Sequence, residues 1–335
     1  MEARRKERID RPVKAQTDGI YALASMRNVM YLLAPRLFPA LALIVVPALL
    51  PTLYLKRIIC IACVYALLTL GFDFLLSTVG LVCLGGALFF GCGMYAAGAL
   101  NYYYGLPPVV TIPLGTLLGA LISTALLIPC LRLRGIYFAM VSLAYPLMIH
   151  RIIEATLILG GTDGLLGLDG LPNVWVELYL VIGVTLIALF GLRRLYHTDF
   201  GMVLRAIKDN DQAVRASGIN ITLYKAIATF IAALLGSFAG AYVAHLYMWA
   251  GPSGWALDYS IFPIAAAVVG GMGTLSGAVV GSFILAPLSE MLRAFASLRI
   301  VFYSSALIVF IMLWREGLMN WLERKYHQIE RWVKV

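Results

Sequence analysis

Long apolar runs, separated by short polar stretches, make up most of the chain. About ten of these runs approach the ~20 residues that a helix needs to cross a bilayer. We place them near residues 37–54, 58–76, 79–100, 109–129, 135–157, 175–192, 225–249, 259–272, 274–292 and 299–314. A transmembrane β-barrel would instead show alternating segments of about ten residues. The pattern therefore predicts an all-α, polytopic bundle of transmembrane helices.

The run at 259–272 differs from the others because it is short and ends in glycines. Such interruptions are typical of the discontinuous or re-entrant helices of transporters, and they also occur in ordinary bundle cores. Several runs also carry small residues at four-residue spacing, including Gly115 and Gly119 as well as Gly236 and Gly240. In lipid, this spacing allows helix backbones to approach closely.

Composition agrees with a membrane protein. Hydrophobic residues are 61% of the chain, charged residues are 13%, and the mean hydropathy is +0.88, outside the range of soluble domains. The five cysteines lie in or beside apolar runs, so we expect no disulfide framework. Cys60 and Cys63 have a redox-type spacing, but they fall inside a predicted span. The four histidines show no paired ligand spacing, and we expect neither a metal site nor a cofactor.

The net charge of +9 follows from three polar regions rather than from a nucleic-acid surface. Lysine and arginine concentrate in an N-terminal tail (1–36), a central loop (193–225) and a C-terminal tail (315–335). The loops 101–108, 158–174 and 250–258 contain neither residue. Cytoplasmic loops carry the excess of positive charge in membrane proteins. We therefore expect a transmembrane domain over 37–314, with both tails and the central loop in the cytoplasm.

The central loop contains a stretch that we call the polar segment (residues 198–225). Leu204, Ile207, Val214 and Ile219 recur there at near-helical intervals among charged residues, which predicts short amphipathic helices. Residues 209–211 can start a second helix, and Gly218 can stop it. A structured amphipathic segment is typical of a docking surface for a soluble partner. The alternative is a solvated loop whose charges only set the topology, and the spacing alone favours neither.

Charged residues inside spans are costly in lipid and are functional candidates by default. Asp73 lies within the second run, where we expect an interior role, either structural or in a transport pathway. His150 and Glu154 share a helix face near the end of the fifth run. They either line a polar path or pair with each other at the interface. The glycine-rich stretch 160–169, with Asp163 and Asp169, either contacts an external partner or is a turn.

Seven stretches carry recognisable motifs in a fixed order, namely 71–76, 80–95, 134–144, 160–165, 201–220, 269–281 and 314–318. They resemble the permease subunits of branched-chain amino acid ABC importers, in particular the LivM type. The resemblance covers about residues 60–320. It departs from the family pattern at Gly86, Cys83 and Arg315, where the family usually has His, Ser and Pro.

The resemblance implies a subunit without enzymatic activity, in the inner membrane of a bacterium, surrounded by lipid. It would pair with a second, related permease and with two cytoplasmic ATPases, and a periplasmic binding protein would deliver the cargo. A separate ATPase agrees with the chain itself, which contains no Gly-Lys pair and therefore no P-loop.

The resemblance also implies that residues 205–218 dock into a groove of an ATPase. The coupling residues would be Arg205, Ala206, Ile207, Lys208, Asp209, Asn210, Asp211, Ala213, Arg215 and Gly218. A neutral zwitterion such as leucine needs a pathway with apolar walls and a few polar groups. Asp73, Ser142 and Tyr145 are the candidates for that pathway.

Three alternatives stay open. The same machine could carry urea, short amides or aromatic acids, because importers of these cargoes share this permease type. The chain could be a stand-alone, ion-coupled secondary transporter with Asp73 or Glu154 as the coupling group. It could also be a membrane scaffold that transports nothing. The structured polar segment argues against the second alternative, and the series of motifs argues against the third.

Overall fold

A computed structural model describes residues 52–133, 135–291, 308, 312 and 317–321, and these residues form a helical bundle. The α-helices up to residue 291 are α1 (Leu53–Phe74), α2 (Gly86–Tyr104), α3 (Pro108–Leu127), α4 (Ile136–Thr156), α5 (Val174–Tyr196), α6 (Asp199–Asp209), α7 (Asp211–Ala216), α8 (Ile221–Tyr247), α9 (Asp258–Gly270) and α10 (Leu275–Met291). A π-helical segment (Leu75–Val79) continues α1. Short 3-10 turns lie at Ile128–Arg132, Ile158–Gly160 and Pro252–Trp255.

The structure confirms the predicted all-α fold. Within the described residues, five helical stretches are long and apolar enough to span a bilayer. They are Leu53–Val79, Pro108–Arg132, Ile136–Thr156, Val174–Tyr196 and Ile221–Tyr247. Helices α9 and α10 would together make a sixth, but they are bent by 112° at the break between them. The interruption predicted after the short run is therefore real. The predicted runs 37–54 and 299–314 lie almost entirely outside the described residues.

The predicted start of the third run at residue 79 was wrong. Gly80 adopts a left-handed conformation (φ +71°) that ends the π-helical segment, and the chain then continues without helix as far as Gly85. Helix α2 begins only at Gly86. Hydropathy does not detect this break, because the residues between the two helices are themselves apolar.

Helices α2, α3 and α8 pack closely, and α8 also contacts α1. A Cβ at Gly119 of α3 would lie 2.7 Å from the Cα of Gly93 of α2, so the two backbones touch where each lacks a side chain. Helix α1 packs against α5, α9 and α10. A buried apolar cluster, which includes Phe262, Val269 and Leu285, lies where α1 contacts the bent pair of helices α9 and α10.

One end of the bundle, the ribbon end, collects the three loops that lack lysine and arginine. Strand β1 (Leu165–Leu166) pairs antiparallel with β2 (Trp249–Ala250) and joins two of these loops. The third loop follows Asn101, whose side chain bonds Asp169 at 2.9 Å. The buried His245 contacts the carbonyl oxygen of Asp169 at 2.7 Å and the hydroxyl of Thr111 at 2.6 Å.

Helices α6 and α7 lie at the opposite end, the polar-segment end. Helix α8 connects the two ends, because it starts directly after the polar helices and finishes beside β2. Its 27 residues correspond to a length of about 40 Å, enough to cross a bilayer. The three loops without lysine and arginine and the basic polar segment therefore lie at opposite ends of the bundle. Lys56, whose Nζ lies 3.8 Å from the centre of the Trp175 ring at the start of α5, is a positive charge at the ribbon end.

Candidate functional site

The polar segment folds as the spacing predicts, into two short helices. Helix α6 buries Gly201, Leu204 and Ile207 on one face, and α7 buries Val214. The side chain of Asn210 caps α7, since its oxygen accepts bonds from the backbone N–H groups of Gln212 and Ala213, each at 3.1 Å. Gly218 follows α7 in a left-handed conformation (φ +84°). The segment is therefore structured.

Helix α6 is held against three parts of the bundle. At its start, a Cβ at Gly201 would lie only 2.5 Å from the carbonyl oxygens of Leu195 and Tyr196, so α6 directly abuts the end of α5. The guanidinium of Arg205 lies 4.5 Å from the centre of the Tyr196 ring, in cation–π geometry. The ring of Phe200 stacks on Tyr224 of α8. The Nζ of Lys208 donates to the carbonyl oxygen of Ser77 at 3.0 Å, which joins α6 to the π-helical segment.

The outer face of the polar segment combines small side chains with charges of both signs. Of the residues predicted to couple, Ile207 is buried against the bundle, and Arg205 and Asp211 are half-buried. The exposed ones are Ala206, Lys208, Asp209, Asn210, Ala213, Arg215 and Gly218. Such a face can dock against another protein surface.

A polar groove of about 480 Å³ lies beside α7. Its lining includes Arg132 at the end of the 3-10 turn after α3, and Asp211, Arg215, Asn220 and Lys225 from the polar segment. The groove is therefore mostly basic, with one carboxylate, and it opens at the polar-segment end.

Asp73 is fully buried near the end of α1. Its Oδ1 accepts a 2.7 Å hydrogen bond from the backbone N–H of Gly273, which lies in the turn between α9 and α10. Its Oδ2 has no hydrogen-bond partner among the described residues. The expected interior position is confirmed, and the contact is with backbone 200 residues away.

Four of the motif stretches meet at the polar-segment end. Asp73 belongs to the first motif and contacts the turn within 269–281. Gly317 of the last motif packs on the same turn, where a side chain at this position would collide with the backbone of Gly271. The 201–220 motif reaches the π-helical segment after α1 through Lys208. Stretches that are far apart in sequence thus form one contiguous cluster.

The two other pathway candidates lie on α4 and contact different parts of the chain. Ser142 is buried, and its hydroxyl accepts from the backbone N–H of Leu84 at 2.9 Å and donates to the carbonyl oxygen of Ala139 at 2.9 Å. The hydroxyl of Tyr145 lies 3.4 Å from the Cys130 sulfur. The hydrogen-bond partners of Asp73, Ser142 and Tyr145 are thus separate, and a common pathway for them stays a prediction.

His150 and Glu154 pair with each other, as the interface interpretation expects. Their side chains are 3.0 Å apart, and Arg151 contacts the same carboxylate at 2.9 Å. The side chain of Arg151 is 82% exposed. This geometry favours an interfacial cluster over a polar path through the bundle.

Sequence reasoning missed a cavity of about 130 Å³ in the half of the bundle nearer the ribbon end. Its polar lining comes from Tyr65 of α1, Tyr247 of α8, Tyr259 of α9, and Ser289 and Glu290 of α10. These residues come from three separate regions of the sequence, near residues 65, 247–259 and 289–290. Only the packing of four helices brings them around one space.

Comparison with known proteins identifies the kind of molecule that carries these features. Residues 54–314 match the family described as the permease component of branched-chain amino acid transport systems. The chain belongs to this family. The matched range includes the polar segment, Asp73 and the bent pair, so three of the four clustered motifs lie within the family match. The resemblance inferred from the motifs is confirmed.

Individual relatives agree with the family match. The LivM permease protein of the high-affinity branched-chain amino acid transport system of Salmonella typhimurium is 28% identical over 288 residues, 76% of this permease and 68% of the relative. The probable LivM protein of Methanocaldococcus jannaschii is 27% identical over 231 residues, 61% of this permease and 67% of the relative. The probable LivH permease protein of the same organism is 28% identical over 216 residues, 58% and 65% respectively. No solved structure matches the permease.

Proposed function

We propose that this permease is the transmembrane subunit of a binding-protein-dependent ABC importer in a bacterial inner membrane, and that it moves branched-chain amino acids into the cytoplasm. The observation that carries the proposal is a permease-family bundle whose polar segment is folded, anchored on α5, α8 and the end of α1, and exposed on its outer face. A stand-alone ion-coupled carrier has no ATPase to dock there.

In this proposal the polar-segment end faces the cytoplasm and the ribbon end faces the periplasm. The chain has about ten spans within 37–314, and the tails 1–36 and 315–335 are cytoplasmic. The absence of lysine and arginine from the three loops at the ribbon end supports this orientation.

The permease would work with several partners. A second, related permease completes the membrane part, and the similarity to both LivM and LivH proteins supports two subunits of one type. Two ABC ATPases bind from the cytoplasm at the loop 193–225, with residues 205–218 making the contact. The basic groove beside α7 suits an acidic side chain of such a partner. A periplasmic binding protein delivers cargo at the ribbon end.

Closure of the ATPase dimer on ATP would move the polar segment and convert the bundle from inward-facing to outward-facing. Cargo would then cross between apolar walls with a few polar groups, for which Asp73, Ser142 and Tyr145 are the candidates. The names of the relatives support leucine, isoleucine and valine as cargo. Urea, short amides and aromatic acids are the competing cargoes.

The test is uptake in proteoliposomes that contain this permease, a candidate partner permease, ATPases and binding protein. Labelled leucine and labelled urea are supplied in parallel, with and without ATP. We expect leucine accumulation that requires both ATP and the binding protein. Urea accumulation under the same requirements would keep the machine and change the cargo. Uptake by this permease alone, driven by an ion gradient, would overturn the proposal.

A further inference from the structure

Asp73 hydrogen-bonds the turn between the two helices of the bent pair, α9 and α10. It is a fully buried carboxylate, and an unpaired charge in the interior is strongly unfavourable. Its one hydrogen bond in the described structure goes to the backbone N–H of Gly273, at 2.7 Å. That turn joins two half-helices that bend by 112° relative to each other. The carboxylate therefore fixes the position of the bend relative to the end of α1.

The turn is also contacted from a second direction, which leaves it little freedom to move alone. Gly271 and Gly273 have φ angles of +111° and +86°, a region that favours glycine. Gly317 packs on Gly271 so closely that a side chain at 317 would displace one of the two backbones. The turn therefore moves together with its neighbours, and Asp73 is its contact toward the polar segment.

Lys208 provides the other half of the connection. Its Nζ donates to the carbonyl oxygen of Ser77 at 3.0 Å, and a Cβ at Gly80 would lie 3.1 Å from its Cγ. Ser77 lies four residues after Asp73, inside the π-helical segment. Short π-helical stretches occur frequently at functional sites in helices. About one helical turn thus connects Ser77, which accepts the hydrogen bond from Lys208, to Asp73, which accepts the hydrogen bond from Gly273.

We propose that Lys208, the π-helical segment and Asp73 form a link that transmits motion of the polar segment to the turn between α9 and α10. The inference rests on the proposed function, since it specifies how ATP-driven movement reaches the transmembrane part. In this link Lys208 and Asp73 act as positioning residues. This role of Asp73 competes with the cargo contact for which it is also a candidate, and the Asp73→Asn variant below separates the two. Contiguous packed elements of this kind carry coupling between sites, and the demonstration is a measured coupling between them.

The experiment measures ATP hydrolysis and leucine uptake in the same proteoliposomes and reports molecules of leucine imported per ATP hydrolysed. Asp73→Leu removes the acceptor for the Gly273 N–H, and Lys208→Met keeps the aliphatic stem but removes the donor. We expect hydrolysis to persist while leucine imported per ATP falls about fivefold or more for Asp73→Leu and about threefold for Lys208→Met. The double variant should fall no further than Asp73→Leu, because both changes break one link.

Thr69→Val is the matched control. Thr69 lies one turn before Asp73 on α1, and its buried hydroxyl bonds Ser282 of α10 at 2.9 Å. The control thus also removes a buried polar contact between α1 and the bent pair, but away from the turn. We expect its leucine import per ATP to stay within about twofold of the unmodified protein. A loss as large as that of Asp73→Leu would overturn the link.

Asp73→Asn separates a link from a cargo site and serves if Asp73→Leu fails to fold. The amide oxygen can still accept from Gly273, so the link predicts only a partial loss of leucine imported per ATP. If Asp73 bound the ammonium group of the cargo, Asn would raise the leucine concentration for half-maximal uptake and leave import per ATP unchanged. That result would overturn the inference. ATP-independent uptake by the unmodified protein would instead contradict the proposed function itself.

Discussion

At the residue scale, absent side chains decide how closely the polar segment approaches the bundle. Gly201 lets α6 start directly against the carbonyl oxygens at the end of α5. Arg205 then reaches the Tyr196 ring, and Lys208 reaches Ser77. A shift of α6 away from α5 would lengthen both contacts, so the space at Gly201 controls the position of the whole exposed face.

Gly201→Val tests this dependence. The added side chain collides with the end of α5, and overpacking of this kind costs about 1–3 kcal/mol. We expect less ATPase to copurify with the variant permease in detergent. Gly191→Val is the control, because Gly191 of α5 has open space around it. Equal retention of the ATPase by both variants would contradict the role of Gly201.

At the element scale, α6 and α7 differ from the long helices in what stabilises them. Helix α7 has six residues and buries only Val214, so its cap contributes much of its stability. Helix α8 has 27 residues and packs against several neighbours. Helices shorter than about 12 residues are marginal without such support.

Asn210→Ala therefore should loosen α7 selectively. Loss of an N-cap costs about 0.5–2 kcal/mol, a large share of the stability of a six-residue helix. Hydrogen exchange of the backbone amides at 212–216 should become faster. Asn220→Ala removes the cap of α8, whose oxygen accepts from Leu223 at 3.3 Å, and packing should keep the exchange of α8 unchanged. Unchanged exchange in α7 after Asn210→Ala would show that the cap is dispensable.

At the scale of the whole molecule, the bundle has two chemically distinct ends. The ribbon end lacks lysine and arginine in its three loops, whereas the polar segment carries several. The link through Asp73 lies at the polar-segment end, and the tyrosine-lined cavity lies toward the ribbon end. The proposed function assigns energy input to the polar-segment end and cargo entry to the ribbon end.

Cysteine labelling from the two sides of the membrane tests this assignment. All five cysteines are buried, namely Cys60, Cys63, Cys83, Cys92 and Cys130. The unmodified permease should therefore not react with a membrane-impermeant maleimide. Leu166→Cys, at a position where the leucine is 62% exposed, should react in right-side-out vesicles only. Ala213→Cys, on the exposed face of α7, should react in inside-out vesicles only. The reverse labelling pattern would show that the topology is the opposite of the proposed one.

Features that depend on neighbouring residues were predictable from the chain alone. The apolar runs identified the membrane bundle, because the length needed to cross a bilayer is a local property. The spacing of Leu204, Ile207 and Val214 predicted two amphipathic helices, which the structure contains. The motifs predicted a permease, and the family match confirms it.

Features that depend on distant contacts required the tertiary structure. Asp73 was recognisable as an unusual buried charge, but its partner lies 200 residues away on the backbone of Gly273. Every residue other than proline has the same backbone N–H group, so a sequence pattern cannot predict which one will bond a given side chain. The start of α2 at Gly86 also escaped hydropathy, and the glycines after the short run predicted a break but not its angle of 112°. They depend on backbone conformation and helix packing, which a count of apolar residues does not record.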